Sequence, residues 1–336
     1  MQNPIKPSFI FCHPIPAPIR ILFYRLKPLI PRKLQLALRR MRGRHLLAAN
    51  HFFWPIDQAS AAKPLGWPGW PEKKQFALVL THDIERGEGL NRVREIADME
   101  QESGFRSSFN FVGNDYSVPA EMRNDLIRRE FEVGVHGMHH DGMMFASRKI
   151  FGRHAKGINE RLKQWNAVGF RAPSMHQNLE WIHDLNIRYD SSTFDTDPFE
   201  PQPDALKTIF PRWIVNHEKN SAYVELPYTL TQDFTLFVLL RFRDIEIWKR
   251  KLDWVAEHGG MALLITHPDY MCWNGSKPAE EEYPAGYYRD FLEHVRDKYA
   301  GRYWNALPRE VAEYFASTIP SGLASKSSHE LHELHE

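Results

Sequence analysis

The sequence predicts an α/β fold, a distorted parallel (β/α) barrel of about seven strands preceded by a basic N-terminal extension. Three observations predict it. Short apolar runs alternate with longer helical patterns, the sign of a parallel sheet closed by helices. Several of those runs end abruptly in ionisable residues, which on parallel strands all emerge on one face. Charge is also unevenly spread: residues 1–56 hold ten Lys or Arg, from Lys6 to Arg44, and no acid before Asp57.

Strands are expected at 76–81, 107–112, 131–135, 167–171, 187–190, 222–227 and 261–266. Helices are expected at 89–103, 119–130, 153–165, 178–185, 244–258, 285–299 and 308–316. The organisation that follows is a basic, partly helical extension (1–56), a Pro/Trp/Gly-rich linker (57–75), a barrel (76–320) and a flexible His/Glu-rich tail (321–336). The tail spaces His329, His332 and His335 three apart; nothing connects it to the barrel chemistry. Trp67 and Trp70 of the linker either stack on sugar rings or pack against the barrel, with packing favoured by the usual burial of Trp.

The 336 residues carry a net charge of +1, too little to recruit nucleic acid through a global field. Cys12 and Cys272 are far apart, so no disulfide framework is expected and a reducing compartment is compatible. Pro14, Pro16, Pro18 and Pro28 interrupt the apolar N-terminal stretches, with Arg20, Arg25 and Lys27 among them. That pattern fits neither a signal peptide nor a spanning helix, and the expectation is a cytoplasmic protein. From Leu34 a helical pattern places Leu34, Leu38 and Met41 on one face, amid Lys33, Arg39, Arg40, Arg42 and Arg44. It reads either as a helix packed on the barrel through that face or as an interfacial helix giving residues 1–50 a peripheral contact with the inner face of a membrane.

The chemistry lies at strand ends. Phe76–Thr81 runs into His82, Asp83, Ile84 and Glu85; Phe131–Val135 into His136-Gly-Met-His-His140; Val168–Phe170 into Arg171-Ala-Pro173; and Met261–Thr266 into His267-Pro268. His136 and His140 are four apart, which on one helical turn points both imidazoles at a single ion. Asp83 or Glu85 would complete a two-His, one-carboxylate set with positions open for water and substrate, the donor set of catalytic zinc. A His-x-x-x-His pair alone is weak; its conjunction with carboxylates, an Arg and another His at separate strand ends is far more specific. Asp195, Asp197, Tyr228 and Asp233 lie just beyond predicted strands, as pocket residues or turn caps.

The order of these motifs, over Phe76 to Pro268, resembles the polysaccharide deacetylases of the NodB-homology group, carbohydrate esterase family four. The resemblance implies a metal-dependent hydrolase, most simply with Zn2+, that removes an acetyl group from an N-acetylated sugar, glycan or lipid-linked glycan. The family's first motif, Thr-Phe-Asp-Asp, is replaced by Thr81-His82-Asp83-Ile84-Glu85. The general base maps onto Asp83, the family's adjacent metal ligand falls on Ile84, and Glu85 is the substitute, as in relatives with Asp-x-Asp. His136 and His140 match the His-Ser-x-x-His ligands. Arg171 of Arg-Ala-Pro173 would orient the base, Asp190 of Tyr189-Asp-Ser-Ser192 would orient the catalytic His, and His267 of Leu264-Ile-Thr-His267 would be the general acid. The same fold in relatives also hydrolyses cyclic amides, and a barrel that binds glycan without cleaving it is a further reading.

Overall fold

A computed structural model of the chain describes residues 22, 24, 26, 29–50, 54–202, 204–273 and 275–322. Most of residues 1–28, Cys12 among them, and the His-rich end of the tail lie outside these.

Among the described residues nine strands form one curled sheet. Its centre is β1 (Phe76–Ile84), an apolar run with every residue buried. β1 continues in parallel through β2 (Ser108–Phe111), β3 (Glu132–Val135), β4 (Gly169–Phe170), β5 (Tyr189–Asp190) and, on the far side of β5, β7 (Ser221–Glu225). β8 (Met261–Thr266) pairs with the other edge of β1, and β11 (Tyr303–Asn305) fills the space beside the first residues of β1, before β2 joins it. Two strands were not expected from the sequence: β11, and β6 (Arg212–Asn216), which forms an antiparallel hairpin with β7. Two further two-residue strands, β9 (Met271–Cys272) and β10 (Tyr283–Pro284), pair only with each other.

The extended segment after β7 closes the ring. Leu226 and Tyr228 donate backbone hydrogen bonds to Asp190 and Thr193 on one side, while Thr229 and Leu230 donate to Leu263 on the other. The expected distorted barrel is present, its wall completed by a segment too irregular to read as a strand.

Among the described residues the α-helices include α1 (Arg32–Asn50), α2 (Gly87–Leu90), α3 (Val93–Glu102), α4 (Ala120–Arg128), α5 (Arg148–Trp165), α6 (Leu179–Ile182), α7 (Glu246–His258), α8 (Gly286–Tyr299) and α9 (Pro308–Thr318). Ser147 caps α5 by accepting from the Ile150 N–H at 3.3 Å, one of the orphan donors of a helix start. Asn166 ends it in the left-handed conformation, as residues at this C-terminal position commonly do.

Period-two alternation along β1 divides its residues between two environments. His82 turns toward the helices, where its ring contacts Phe109 and Tyr288 and Nε2 meets Glu100 Oε1 at 2.8 Å. Ile84 joins the same apolar core. Thr81, Asp83 and, past the strand end, Glu85 take the opposite face, which lines the barrel.

α1 packs on the barrel, but not through the face read from the sequence. Its buried residues are Gln35, Leu36, Arg40, Gly43 and Leu46, whereas Leu34, Leu38 and Met41 are 50%, 45% and 40% exposed. Long-range pairing decides this. Arg40 is buried because Nε donates to the Val238 carbonyl at 3.0 Å, Nη1 to Glu280 Oε1 at 2.7 Å and Nη2 to the Glu280 carbonyl at 2.8 Å. Charge-assisted bonds of this kind offset the cost of burying a guanidinium. Trp70 is buried, and Trp67 packs edge-on against it with ring centroids 4.7 Å apart. Among the described residues no helix is long and apolar enough to cross a membrane.

Candidate functional site

The carboxyl ends of β1, β3, β4 and β8 open into one cavity of about 620 Å³, lined among others by Asp83, Glu85, His136, His140 and His267. Five of the seven residues selected from sequence therefore share one chamber, and Arg171 lies directly behind it.

Asp83 is almost wholly buried. Its Oδ1 accepts from Asn110 Nδ2 at 2.8 Å and from Arg171 Nη1 at 3.0 Å. Burial alone would raise its pKa, but Arg171, His136 and His267, with the Asn110 bond, override that and bring it down to about 2. The carboxylate is thus charged and fixed in direction. Arg171 is itself held, Nη1 donating to Thr81 Oγ1 at 2.7 Å and Nε to the Ser191 carbonyl at 2.9 Å. The contact with Asp83 runs through Nη1 alone rather than through a two-pronged fork. Room for Asn110 comes from Gly134 on β3, where an added Cβ would stand 2.1 Å from Asn110 Oδ1.

His136 and His140 are brought together by a loop and not, as expected, by a helical turn. Gly137 makes the bend with φ +70°, and a Cβ there would also meet Pro173 at 2.5 Å, so the loop after β3 is seated directly on the Arg-Ala-Pro segment. The two rings lie 5.4 Å apart, tilted by 33°. His136 Nδ1 is 3.1 Å from the Arg171 carbonyl. A carbonyl only accepts, so Nδ1 carries the proton and Nε2 presents a lone pair. Burial pushes the His136 pKa down to about 4, which keeps that lone pair free at neutral pH.

The Nε2 atoms of both His136 and His140 are buried and without a hydrogen-bond partner. Glu85 Oε1 lies 3.0 Å from His140 Nε2, a close approach outside hydrogen-bond geometry. The other Glu85 oxygen accepts from the Tyr270 hydroxyl, and the backbone N–H groups of Glu85 and Arg86 each donate at 2.9 Å to Asp269. Burial works against ionisation of Glu85, but His140, His267 and Tyr270 hold its pKa well below the usual range. Among the described residues no three His, Cys, Asp or Glu side chains stand already assembled around a common point. The fit to a divalent metal therefore rests on the unpartnered Nε2 of His136 and on His140 Nε2 with the charged Glu85 carboxylate 3.0 Å from it, which is suitable donor chemistry.

His267 faces the same chamber from β8. Nδ1 bonds Asp233 Oδ1 at 2.6 Å, and Nε2 lies 3.9 Å from Glu85 Oε1. Burial opposes its protonation, but Asp233, Glu85 and Asp83 outweigh burial and lift its pKa to about 10. It is a cation at neutral pH.

The carboxylate that His267 meets is Asp233; Asp190, expected beside it from the sequence, is engaged elsewhere. Asp190 pairs in register with Glu225 across β5 and β7 and accepts from the Ser192 hydroxyl. Its Oδ2 and Glu225 Oε2 are buried and find no other donor, and the two carboxyls bond each other, as a pair sharing one proton does. Burial raises both, Asp190 to about 6. Asp233 is fully buried and accepts four hydrogen bonds, from His267 N and Nδ1, Tyr283 Oη and Phe234 N. It opens a π-helical turn, Phe234–Leu239, a form concentrated at functional sites. Of the other residues noted beyond strand ends, Asp195 is ion-paired with buried Lys251, and Tyr228 Oη lies within hydrogen-bond distance of both Asp197 (2.9 Å) and Glu200 (2.6 Å).

Sequence reasoning passed over Asn110, Tyr270 and Asp269. Asn110 had a signal: in Ser108-Phe-Asn-Phe111 the polar residues alternate with Phe, so both polar side chains face the barrel interior. Tyr270 and Asp269 follow His267-Pro268 and had none.

The architecture matches known structures. A protein from Mycobacterium smegmatis described as a polysaccharide deacetylase superposes with a TM-score of 0.57 at 19% identity, covering 76% of this chain and 95% of its own. One from Pseudomonas aeruginosa, described in the same way, gives 0.58 at 14% identity over 76% of this chain and 96% of its own. The fold is that of the polysaccharide deacetylases. An allantoinase shares it, with a TM-score of 0.59 at 15% identity, covering 80% of this chain and 99% of its own. No family model and no curated protein matches the sequence.

Proposed function

We propose that this protein is a hydrolase that cleaves the amide of an N-acetylated amino sugar or glycan, releasing acetate and a free amine. The observation that carries this reading is the convergence, in one cavity, of a fixed carboxylate (Asp83), two imidazoles with unpartnered Nε2 atoms beside Glu85, and a protonated imidazole (His267).

His136, His140 and Glu85 are the residues that would hold a divalent ion, Zn2+ being the first choice for that donor set. When bound, such an ion acidifies water and polarises a carbonyl. Asp83 takes the proton from the attacking water; with a pKa of about 2 it does so only for a water already made acidic. Arg171 and Asn110 keep its free oxygen aimed into the cavity. As the C–N bond breaks, His267 delivers its Nε2 proton to the departing nitrogen, and Asp233 stabilises the imidazolium beforehand. Water is consumed, and acetate and amine are the products.

Two measurements test this together. Elemental analysis of protein lacking residues 321–336, which removes the His-rich tail as a source of adventitious metal, is expected to give about one ion per chain. Glu85→Ala is expected to lose it. Acetate release from N-acetylated sugars then separates this reading from the alternatives. Turnover of a cyclic amide in its place would favour the chemistry named for the allantoinase neighbour. Glycan binding without any product would favour a non-catalytic barrel.

The exposed Leu34, Leu38 and Met41, flanked by Lys33 and Arg44, support a second element of the proposal: α1 rests on an anionic membrane surface, so a lipid-linked substrate is within reach. Apolar burial and basic flanks act together at such an interface. Because α1 also lines the cavity, deleting residues 1–50 is too blunt a test. The variant Leu34→Glu/Leu38→Glu/Met41→Glu is expected to stop floating with vesicles rich in phosphatidylglycerol, and equal flotation of variant and wild type would remove membrane contact from the proposal.

A further inference from the structure

Helix α1 does more than brace the barrel. Arg32, Gln35 and Arg39, spaced three and four apart on one face, line the cavity, and Arg86, next to Glu85, lines it from just past the end of β1. Three guanidiniums therefore line the chamber that also holds the proposed catalytic group.

Their charges are unequally compensated. Arg32 is held at both ends of its fork by Glu281. Arg86 approaches Asp269 at 3.6 Å and lies over the Tyr270 ring at 5.4 Å. Arg39 lies over the Phe234 ring at 4.7 Å and makes no ion pair among the described residues. Phe234 in turn contacts Tyr270, with centroids 4.6 Å apart, and Tyr270 donates to Glu85. Arg39 is thus linked to Glu85 through two rings in contact, tilted by 46°. Arg42, one turn further along, also has no ion pair among the described residues; burial, then the like charge of Arg39, lowers its pKa. Glu281 feels Arg32, Arg86 and Arg39 together. Two more carboxyls stand nearby: burial and the neighbouring Glu200 push Asp197 well up, and burial raises Glu200 while Arg39 opposes that rise.

Crowded guanidiniums, of which Arg39 has no ion pair among the described residues, are suited to an anion, and a tetrahedral phosphoryl group can meet more than one of them at once. We propose that this rim, centred on Arg39, is a phosphate-binding subsite that recognises a phosphoryl group borne by the amino-sugar substrate. The sugar part of this statement rests on the reading given under Proposed function; the phosphate part rests on the arginines. A free sugar phosphate offers the phosphoryl group as a monoester of up to two negative charges, and a sugar phosphate esterified to a lipid offers it as a diester of one.

The test compares binding of N-acetylglucosamine, N-acetylglucosamine 1-phosphate, inorganic phosphate, and the sugar phosphate esterified to a polyprenol in phosphatidylcholine vesicles. Calorimetry is run on full-length wild type, Arg39→Gln and Arg39→Lys, with thermal midpoints confirming folding. In wild type the 1-phosphate is expected to bind at least about tenfold more tightly than the neutral sugar, the size of effect usual for a charge-assisted contact. In Arg39→Gln that ratio falls toward one, and Arg39→Lys restores part of it. A ratio near one in wild type, a ratio retained in Arg39→Gln, or no binding of any probe overturns the subsite. Preference for the polyprenyl ester over the free 1-phosphate identifies the lipid source; equal binding identifies the free sugar phosphate. Acetate release is scored separately: deacetylation without phosphate preference removes only this inference, and Arg39-dependent phosphate binding without acetate release removes the hydrolase reading and leaves the subsite standing.

Discussion

Replacing Asp83 with Asn is expected to lower kcat by about 10²- to 10⁴-fold, the usual worth of a positioned general base, while leaving the barrel folded. Asn keeps an oxygen for Arg171 and Asn110 but cannot take a proton. It also removes the negative member of a buried pair whose partner, Arg171, is fully enclosed. The cost to stability follows from the depressed pKa. A carboxyl at about 2 in the folded chain, against an ordinary 3.8, contributes about 2.5 kcal/mol at neutral pH. That contribution is fully present above the ordinary value and disappears as the pH falls toward about 2. Urea unfolding should therefore show wild type more stable than Asp83→Asn at pH 7, with the gap closing in acid. A variant that keeps wild-type turnover would show that Asp83 is not the base; a gap that ignores pH would show that the pair with Arg171 does not set its ionisation.

What the sequence disclosed, it disclosed through periodicity. Asp83, His136, Arg171 and His267 interrupt apolar runs, and a parallel barrel brings the ends of such runs to one face, so their convergence was predictable despite separations of up to 184 residues. Alternation also explains why the first motif tolerates Ile84. Residues 83 and 85 share the cavity face, whereas 84 turns into the apolar core, so an acid one place later reaches the histidines where an acid at 84 would need a different backbone path.

The features that escaped depend on contacts between distant segments. β6 is short and half-buried, with no strict alternation to mark it. The apolar stripe of α1 looked like its packing face, yet Arg40 and Gly43 pack instead because Glu280 and the π-helical turn wait there. Asp190 ends the short strand β5 and Asp233 follows Thr231-Gln232 ahead of an apolar run, and nothing local says which of the two meets His267. Barrel closure decides: Leu226–Leu230 binds β8, which delivers Asp233 to His267, while the register of β5 on β7 commits Asp190 to Glu225.

That distinction makes Asp233 the second residue whose loss should be severe. Asp233→Asn is expected to reduce kcat by about 10²- to 10⁴-fold through the loss of a competent general acid, with a much smaller effect on KM, because Asp233 is buried behind His267. Tyr283→Phe removes only one of the four hydrogen bonds to Asp233 and should cost less than about tenfold, within the net worth of one hydrogen bond to a charged group. The pH profile separates a chemical from a packing role. Asp233 is the first of the charges that hold the His267 pKa near 10 against burial, which acts to lower it. Without Asp233 that pKa falls, the protonated form is lost at a lower pH, and the alkaline limb of kcat moves toward neutrality. Asp190→Asn, which alters a proton-sharing pair away from His267, should leave that limb where it is in wild type. If Asp190→Asn shifted the limb and Asp233→Asn did not, the roles assigned here to the two acids would be reversed.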